Sequence, residues 1–220
     1  MKTHPYIIWD WNGTLIDDVS AAVNALNRML ALRGVAPVTQ DFYRAHFGFP
    51  VRPFYATVGL DLAHEDWNRI CTDFHRFIAE EPNQHLRPDA RDALQYVLDQ
   101  GGRQAILSAL RQDLLLRDTA REGVQTFFDA LFGVDNLDGA TKLSRGHDLM
   151  THLKESGLVI PDHPLFFIGD TLHDAEVGTA LGATPILVEG GHQNRSRLCT
   201  VGHVVAPSLL AAVQYAFANG

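Results

Sequence analysis

The chain has 220 residues, enough for one sizeable core or for a core domain carrying a small insertion. It is 46% hydrophobic and 20% charged, and its net charge of −8 comes with no basic run, which argues against nucleic acid as a partner because such binding rests on clustered Lys and Arg. Two cysteines, Cys71 and Cys199, make no disulfide framework, and the chain shows no signal-peptide core and no apolar run of membrane length, so a cytoplasmic location without a membrane partner is expected.

Tyr6-Ile7-Ile8-Trp9 is a continuous apolar run ending at Asp10, the form of a strand buried on both faces. From about residue 17 to about residue 86 the sequence then predicts helices and no strand. Val19, Ala22, Val23, Leu26, Met29 and Leu30 make one apolar face. Trp67, Ile70, Cys71, Phe74, Phe77 and Ile78 make another, with Cys71 read as a small core residue. A turn-rich stretch from His46 to Pro53 lies between them, and Glu81-Pro82-Asn83 and Arg87-Pro88 mark the way out.

Beyond that point strands and helices alternate. Ala90, Ala93, Leu94, Val97 and Leu98 repeat at helix spacing, and Gly101-Gly102 stops the helix. Gln104-Ala105-Ile106-Leu107 precedes Ser108, Leu165-Phe166-Phe167-Ile168 precedes Gly169-Asp170, and Pro185-Ile186-Leu187-Val188 is a further strand. Leu209, Leu210, Val213 and Phe217 form a closing helix. The pattern predicts an α/β fold with a mainly parallel sheet formed by residues 1–16 and 87–220, and an all-helical insertion at 17–86. There is no internal repeat.

Ligands of open parallel sheets bind beyond the carboxyl ends of the strands. Asp10, Ser108 and Asp170 stand there, and a later loop contributes Lys142, one of only three lysines. These residue types suit phosphoryl transfer, which needs a nucleophile, a divalent cation and donors for the phosphoryl oxygens. Asp10 can act as an oxygen nucleophile, and Asp170 can join it around a hard cation. Ser108 and the backbone N–H groups after Asp10 can donate to phosphate, and Lys142 can neutralise charge.

Asp10-Trp11-Asn12-Gly13-Thr14-Leu15 resembles the first motif of the haloacid dehalogenase superfamily, usually Asp-x-Asp-Gly-Thr. Ile106-Leu107-Ser108 resembles the second motif, and Lys142 within Ala140-Thr141-Lys142-Leu143-Ser144 the third. Gly169-Asp170-Thr171-Leu172-His173-Asp174 resembles the fourth. Order and spacing agree over essentially the whole chain, and within the superfamily the chain is similar to phosphoglycolate-phosphatase-like members. The resemblance implies a Rossmann-like core with a helical cap inserted after the first motif. It implies Mg2+-dependent hydrolysis of a small phosphorylated metabolite through an aspartyl phosphate on Asp10; apart from the resemblance, a monomer or homodimer is expected. By the same resemblance, Asp10, the backbone carbonyl of Asn12, Asp170 and Asp174 bind the metal. Thr14, Ser108 and Lys142 hold the phosphoryl group. For Asp174 by itself, capping of the following helix is an equal reading.

Asn12 departs from the pattern. The usual second Asp protonates the leaving group and then activates water, a contribution of about 10²–10⁴-fold that an amide cannot make. Three explanations are open. His173, His192, His46 or the Asp17-Asp18 pair takes over proton transfer. Alternatively, the enzyme acts on esters with good leaving groups or turns over slowly. Or the chain is a catalytically impaired regulatory protein that binds phosphate and metal. Phosphonate hydrolysis is rejected because its cap lysine has no counterpart in residues 17–86. Dehalogenation is disfavoured by the Gly169-Asp170 form, and phosphomutase chemistry by the missing acid. His147 and His152 read as surface residues. The Gly190-Gly191-His192-Gln193 loop reads equally as a plain turn or as part of the active edge. His46, Phe49 and Arg52 face substrate on one reading; on the other, Phe49 packs in the cap and Arg52 is exposed.

Overall fold

The computed structural model describes residues 4–82, 84–135, 142–160 and 163–220. Of the residues singled out above, Asn83, Ala140 and Thr141 lie outside them. The chain runs through β1 (Tyr6–Trp9) and β2 (Ile16–Asp17) into α1 (Val19–Ala31), α2 (Gln40–His46), α3 (Val51–Thr57) and α4 (Trp67–Glu80). It returns through β3 (His85–Leu86) to α5 (Ala90–Asp99), β4 (Arg103–Arg111), α6 (Gln112–Arg121) and β5 (Leu131–Val134). Then come α7 (Lys142–Glu155), β6 (Leu165–Gly169), α8 (Leu172–Ala180), β7 (Thr184–Val188), α9 (Arg195–Leu198), β8 (Val204–Ala206) and α10 (Leu209–Asn219).

Six strands form one parallel sheet in the order β5-β4-β1-β6-β7-β8. The first strand is thus central, with Trp9 in register with Ile106 on one side and Ile168 on the other. Successive side chains of a strand point to opposite faces. Ile7 and Trp9 pack with α5 and α10, through Leu94, Val97, Leu209 and Val213. Tyr6 and Ile8 pack with α7 and α8, through Leu149, Leu153 and Val177. Burial on both faces explains why β1 reads as four apolar residues with no alternation. The Trp9 indole N–H donates to Gln104 Oε1 at 2.9 Å, and Gln104 Nε2 donates to the Leu94 carbonyl at 3.0 Å, so both buried polar groups are satisfied.

The α1–α4 segment has an apolar cluster of its own, in which Leu26, Met29 and Leu30 meet Ile70 and Phe77. The stripes predicted at 19–30 and 67–78 are the faces that meet. Three expectations need correction. Residues 17–86 are not purely helical, because β2 and β3 pair antiparallel, Ile16 opposite Leu86, where the chain leaves and re-enters the core. The sequence does not predict the edge strands β5 and β8: Gly133 interrupts the apolar run of β5, and β8 has only three residues. Cys71 is only half-buried and lines a chamber instead of filling the helical core.

Candidate active site

Because β1, β4 and β6 are in register, the chain delivers Asp10, Ser108 and Asp170 to one edge of the sheet. All three are buried. α7 begins at Lys142 and α8 carries Asp174 in its first turn, and both buried side chains point to the same place. Lys142 Nζ donates to Asp10 Oδ1 at 2.5 Å and to Asp174 Oδ1 at 2.6 Å. Thr14 Oγ1 lies 3.2 Å from Asp10 Oδ2 and 2.9 Å from Asp170 Oδ1, bracing the two carboxylates. Asp174 takes the capping role at the start of α8. Its Oδ2 accepts from Thr171 N–H at 3.0 Å and Thr171 Oγ1 at 2.6 Å in a capping box, while its Oδ1 faces Lys142.

Asp10, Asp170 and Asp174 present carboxylate oxygens within 4.8 Å of one another. Burial pushes Asp10 up to about 7, against the pull of Lys142 and with the help of Asp174 and Asp170. Burial likewise pushes Asp170 up to about 6, opposed by His192. Asp174 also pays a burial cost, yet Lys142 overcomes it and holds its carboxyl below the usual range. Among the described residues, four buried carboxylates, including Asp18, face two cations, Lys142 and His192. Hard oxygen donors with a deficit of positive charge fit a divalent cation such as Mg2+.

Position 12 belongs to a second network. Asn12 Nδ2 donates to Asp18 Oδ2 at 2.7 Å, and Gly13 N–H donates to Asp18 Oδ1 at 2.8 Å. His192 Nε2 lies 3.2 Å from Asp18 Oδ1, and its Nδ1 lies 3.0 Å from Tyr43 OH. Burial would lower the His192 pKa, but Asp18 overcomes this and lifts it to about 9. The backbone N–H of His192 donates to Asp170 Oδ2 at 2.6 Å, so the 190–193 loop does reach the active edge. Gly13 has φ +75°, and any Cβ there would strike the Asp170 carboxylate and the His192 ring. Only glycine lets the first-motif backbone pass so close.

The other candidates separate. Asp17 is exposed while Asp18 is buried. His46 is exposed and stacked on Phe42, and Arg52 is exposed over the Trp67 ring; neither lines the chamber above Asp10. Phe49 does line it. His173 is partly buried beside Phe49 and lies 3.4 Å from Glu176. His147 and His152 are exposed on α7. Ser108, buried under the chamber, accepts from Leu110 N–H at 3.0 Å. Thr14, expected at the phosphate, has its hydroxyl on the two carboxylates. Tyr43 was missed by sequence reasoning; its one signal was the pairing with Phe47 four residues on, on which its ring stacks at 4.8 Å.

The sequence model of the haloacid dehalogenase-like hydrolases matches residues 7–188, most of the chain. The chain belongs to this family. Among its relatives, phosphoglycolate phosphatase of Rhodobacter capsulatus is 26% identical over 194 residues, covering 86% of each chain. Phosphoglycolate phosphatase of Chromobacterium violaceum is 24% identical over 213 residues, covering 87% of this chain and 88% of the relative. A haloacid dehalogenase-like hydrolase of Streptococcus pneumoniae superposes with a TM-score of 0.81 over 98% of this chain and 99% of its own, at 18% identity. The last likeness establishes the fold: the parallel sheet with its helices is that of haloacid dehalogenase-like hydrolases. Among the described residues, no helix of this family member is long and apolar enough to cross a membrane.

Proposed function

We propose that the chain is a Mg2+-dependent phosphatase that hydrolyses phosphate monoesters of small metabolites through an aspartyl phosphate on Asp10. The observation that carries this reading is the convergence of Asp10, Lys142, Asp170 and Asp174, all buried, at the carboxyl edge of the sheet beneath an open chamber. The family match supports it, and the names of the relatives make phosphoglycolate the first ester to test.

Asp10, Asp170, Asp174 and the Asn12 carbonyl would hold Mg2+, which supplies positive charge against the phosphoryl oxygens. Asp10 attacks phosphorus; the Asp10 O–P bond forms and the bond to the leaving oxygen breaks. Lys142 favours the ionised form of Asp10 and aims it, and can shift towards the transferring group as negative charge spreads onto its oxygens. Ser108 is placed to donate to the same oxygens. Water then cleaves the aspartyl phosphate, releasing phosphate and restoring Asp10. Asn12 exchanges no proton, so the leaving oxygen takes its proton from solvent. The helical segment 17–86 acts as a cap that roofs the site.

Asp10→Asn should abolish Mg2+-dependent phosphate release from 4-nitrophenyl phosphate and phosphoglycolate, a fall of at least about 10³-fold because the nucleophile itself is lost. Undiminished release would refute the mechanism. Asn12 also favours a second reading: a regulatory protein that binds phosphate and metal without turnover. Calorimetric phosphate binding with no hydrolysis of any ester would establish that instead.

A further inference from the structure

We propose that the chamber above Asp10 takes the apolar body of an alkyl or aryl phosphate monoester in preference to a short acid bearing a second anionic group. The inference rests on the phosphatase reading and specifies its substrate class. Three observations support it.

The first is size. The chamber has a volume of about 590 Å³. Cavities of roughly 300–1,000 Å³ enclose drug-sized ligands, so a two-carbon acid would leave most of this space unfilled. The second is the chemistry of the wall. Facing the carboxylates, the cap contributes Ala22 and Leu26 from α1, Phe54 and Tyr55 from α3, and Phe74 and Ile78 from α4. The nearby hydroxyl of Tyr43 is engaged by His192. Such a surface rewards an apolar occupant by removing it from water.

The third is the state of the cations. Four arginines line the chamber, and each already holds a carboxylate. Arg76 lies 3.2 Å from Asp73, Arg111 lies 2.5 Å from Asp113, Arg117 lies 2.9 Å from Asp118, and Arg121 lies 3.4 Å from Asp118. Lys142 is held between Asp10 and Asp174. Glu81 adds a further carboxylate to the same wall. A substrate carboxylate would compete with these partners for the guanidinium groups, whereas an alkyl or aryl body displaces only water.

The test uses the whole protein with Mg2+ and a series of alkylphosphonates from methyl to octyl, with phosphonoacetate as the short dianionic comparison. Phosphonates cannot be hydrolysed, so their affinities, measured by calorimetry, report binding alone. Affinity should rise by up to about fourfold for each methylene added until the chamber is filled. Phosphonoacetate should bind more weakly than butylphosphonate. Phe74→Ala, at a half-buried wall position, should flatten the dependence on chain length while calorimetry still detects phosphate. Affinities that do not change with chain length, or phosphonoacetate binding more tightly than butylphosphonate, would overturn the inference. Hydrolysis of 4-nitrophenyl phosphate tests the phosphatase reading separately. Turnover with flat phosphonate affinities keeps the enzyme and removes the apolar pocket. Graded affinities without turnover keep the pocket and remove the enzyme.

Discussion

Asn12 and Gly13 both donate to Asp18, one to each carboxylate oxygen. Replacing the amide by a carboxyl would put two acids in contact, and like charges that close raise the pKa of one of them. A proton retained near neutrality is what a general acid needs. Asn12→Asp should therefore raise kcat/KM for alkyl phosphates by about 10²–10⁴-fold, and hardly change kcat/KM for 4-nitrophenyl phosphate, whose leaving group needs no proton. Steady-state phosphate release on the two ester classes checks this. Equal rates for wild type and variant on the alkyl esters would mean that another group already moves the proton. The neighbouring carboxylates carry a second expectation. Asp10 and Asp170 have folded-state pKa values of about 7 and about 6, above their ordinary value of 3.8. Between these limits the folded protein binds more protons than the unfolded one, so without metal their contribution to stability falls as pH rises from about 4 to 7. A cation that replaces those protons helps most where they have gone. The gain in melting temperature on adding Mg2+ should be larger at pH 8 than at pH 5. An equal gain at both would place the metal elsewhere.

The elements that carry the motifs were legible because their signals are local. β1 is four apolar residues followed by Asp10, and β6 is the same form followed by Gly169-Asp170. Parallel pairing in register then does the rest, since it brings both strand ends to one edge without further information. What was not legible is non-local or too short. β8 is three residues at the sheet edge, and the Asp18–His192–Tyr43 network joins positions far apart in the chain. The 190–193 loop looked equally like a turn because its Gly-Gly pair marks a turn whatever the loop touches. In the fold it is a latch. Gln193 accepts from Leu172 N–H at the start of α8 and donates to the Phe47 carbonyl beyond α2, both at 2.9 Å. Arg44 of α2 donates to the carbonyls of Gly191 and Gly190 at 3.0 and 2.9 Å, and Arg197 also donates to the Phe47 carbonyl. Gln193→Ala would leave the Leu172 N–H without its partner and remove one donor from Phe47. The cost should be about 1–3 kcal/mol, with KM rising more than kcat falls because the helical segment is held less firmly over the chamber. Chemical denaturation and initial rates measure both; unchanged values would show that Arg44 and Arg197 suffice.

At the scale of the molecule, two apolar clusters sandwich the sheet and a third lies wholly within the α1–α4 segment. Two chain crossings next to the β2–β3 ladder and the 190–197 latch connect that segment to the rest. Units with separate cores and thin connections open separately, at a free energy below that of global unfolding. Ile70 lies in the third cluster, fully buried between α1 and α4, whereas Ile7 lies under the central strand. Ile70→Ala should cost about 2–5 kcal/mol within the helical segment. Amide exchange should then accelerate across α1–α4 while β1, β4 and β6 stay protected. Ile7→Ala, at similar cost, should accelerate exchange throughout, because losing the central strand removes the platform on which the helical segment sits. Hydrogen exchange followed by mass spectrometry distinguishes the two patterns. If Ile70→Ala weakened protection equally in β1 and α4, the molecule would unfold as one unit, and the helical segment would have no opening of its own. If the effect stays within the helices, the site can open and close without disturbing the carboxylates, which is the property a roof over a reaction chamber needs.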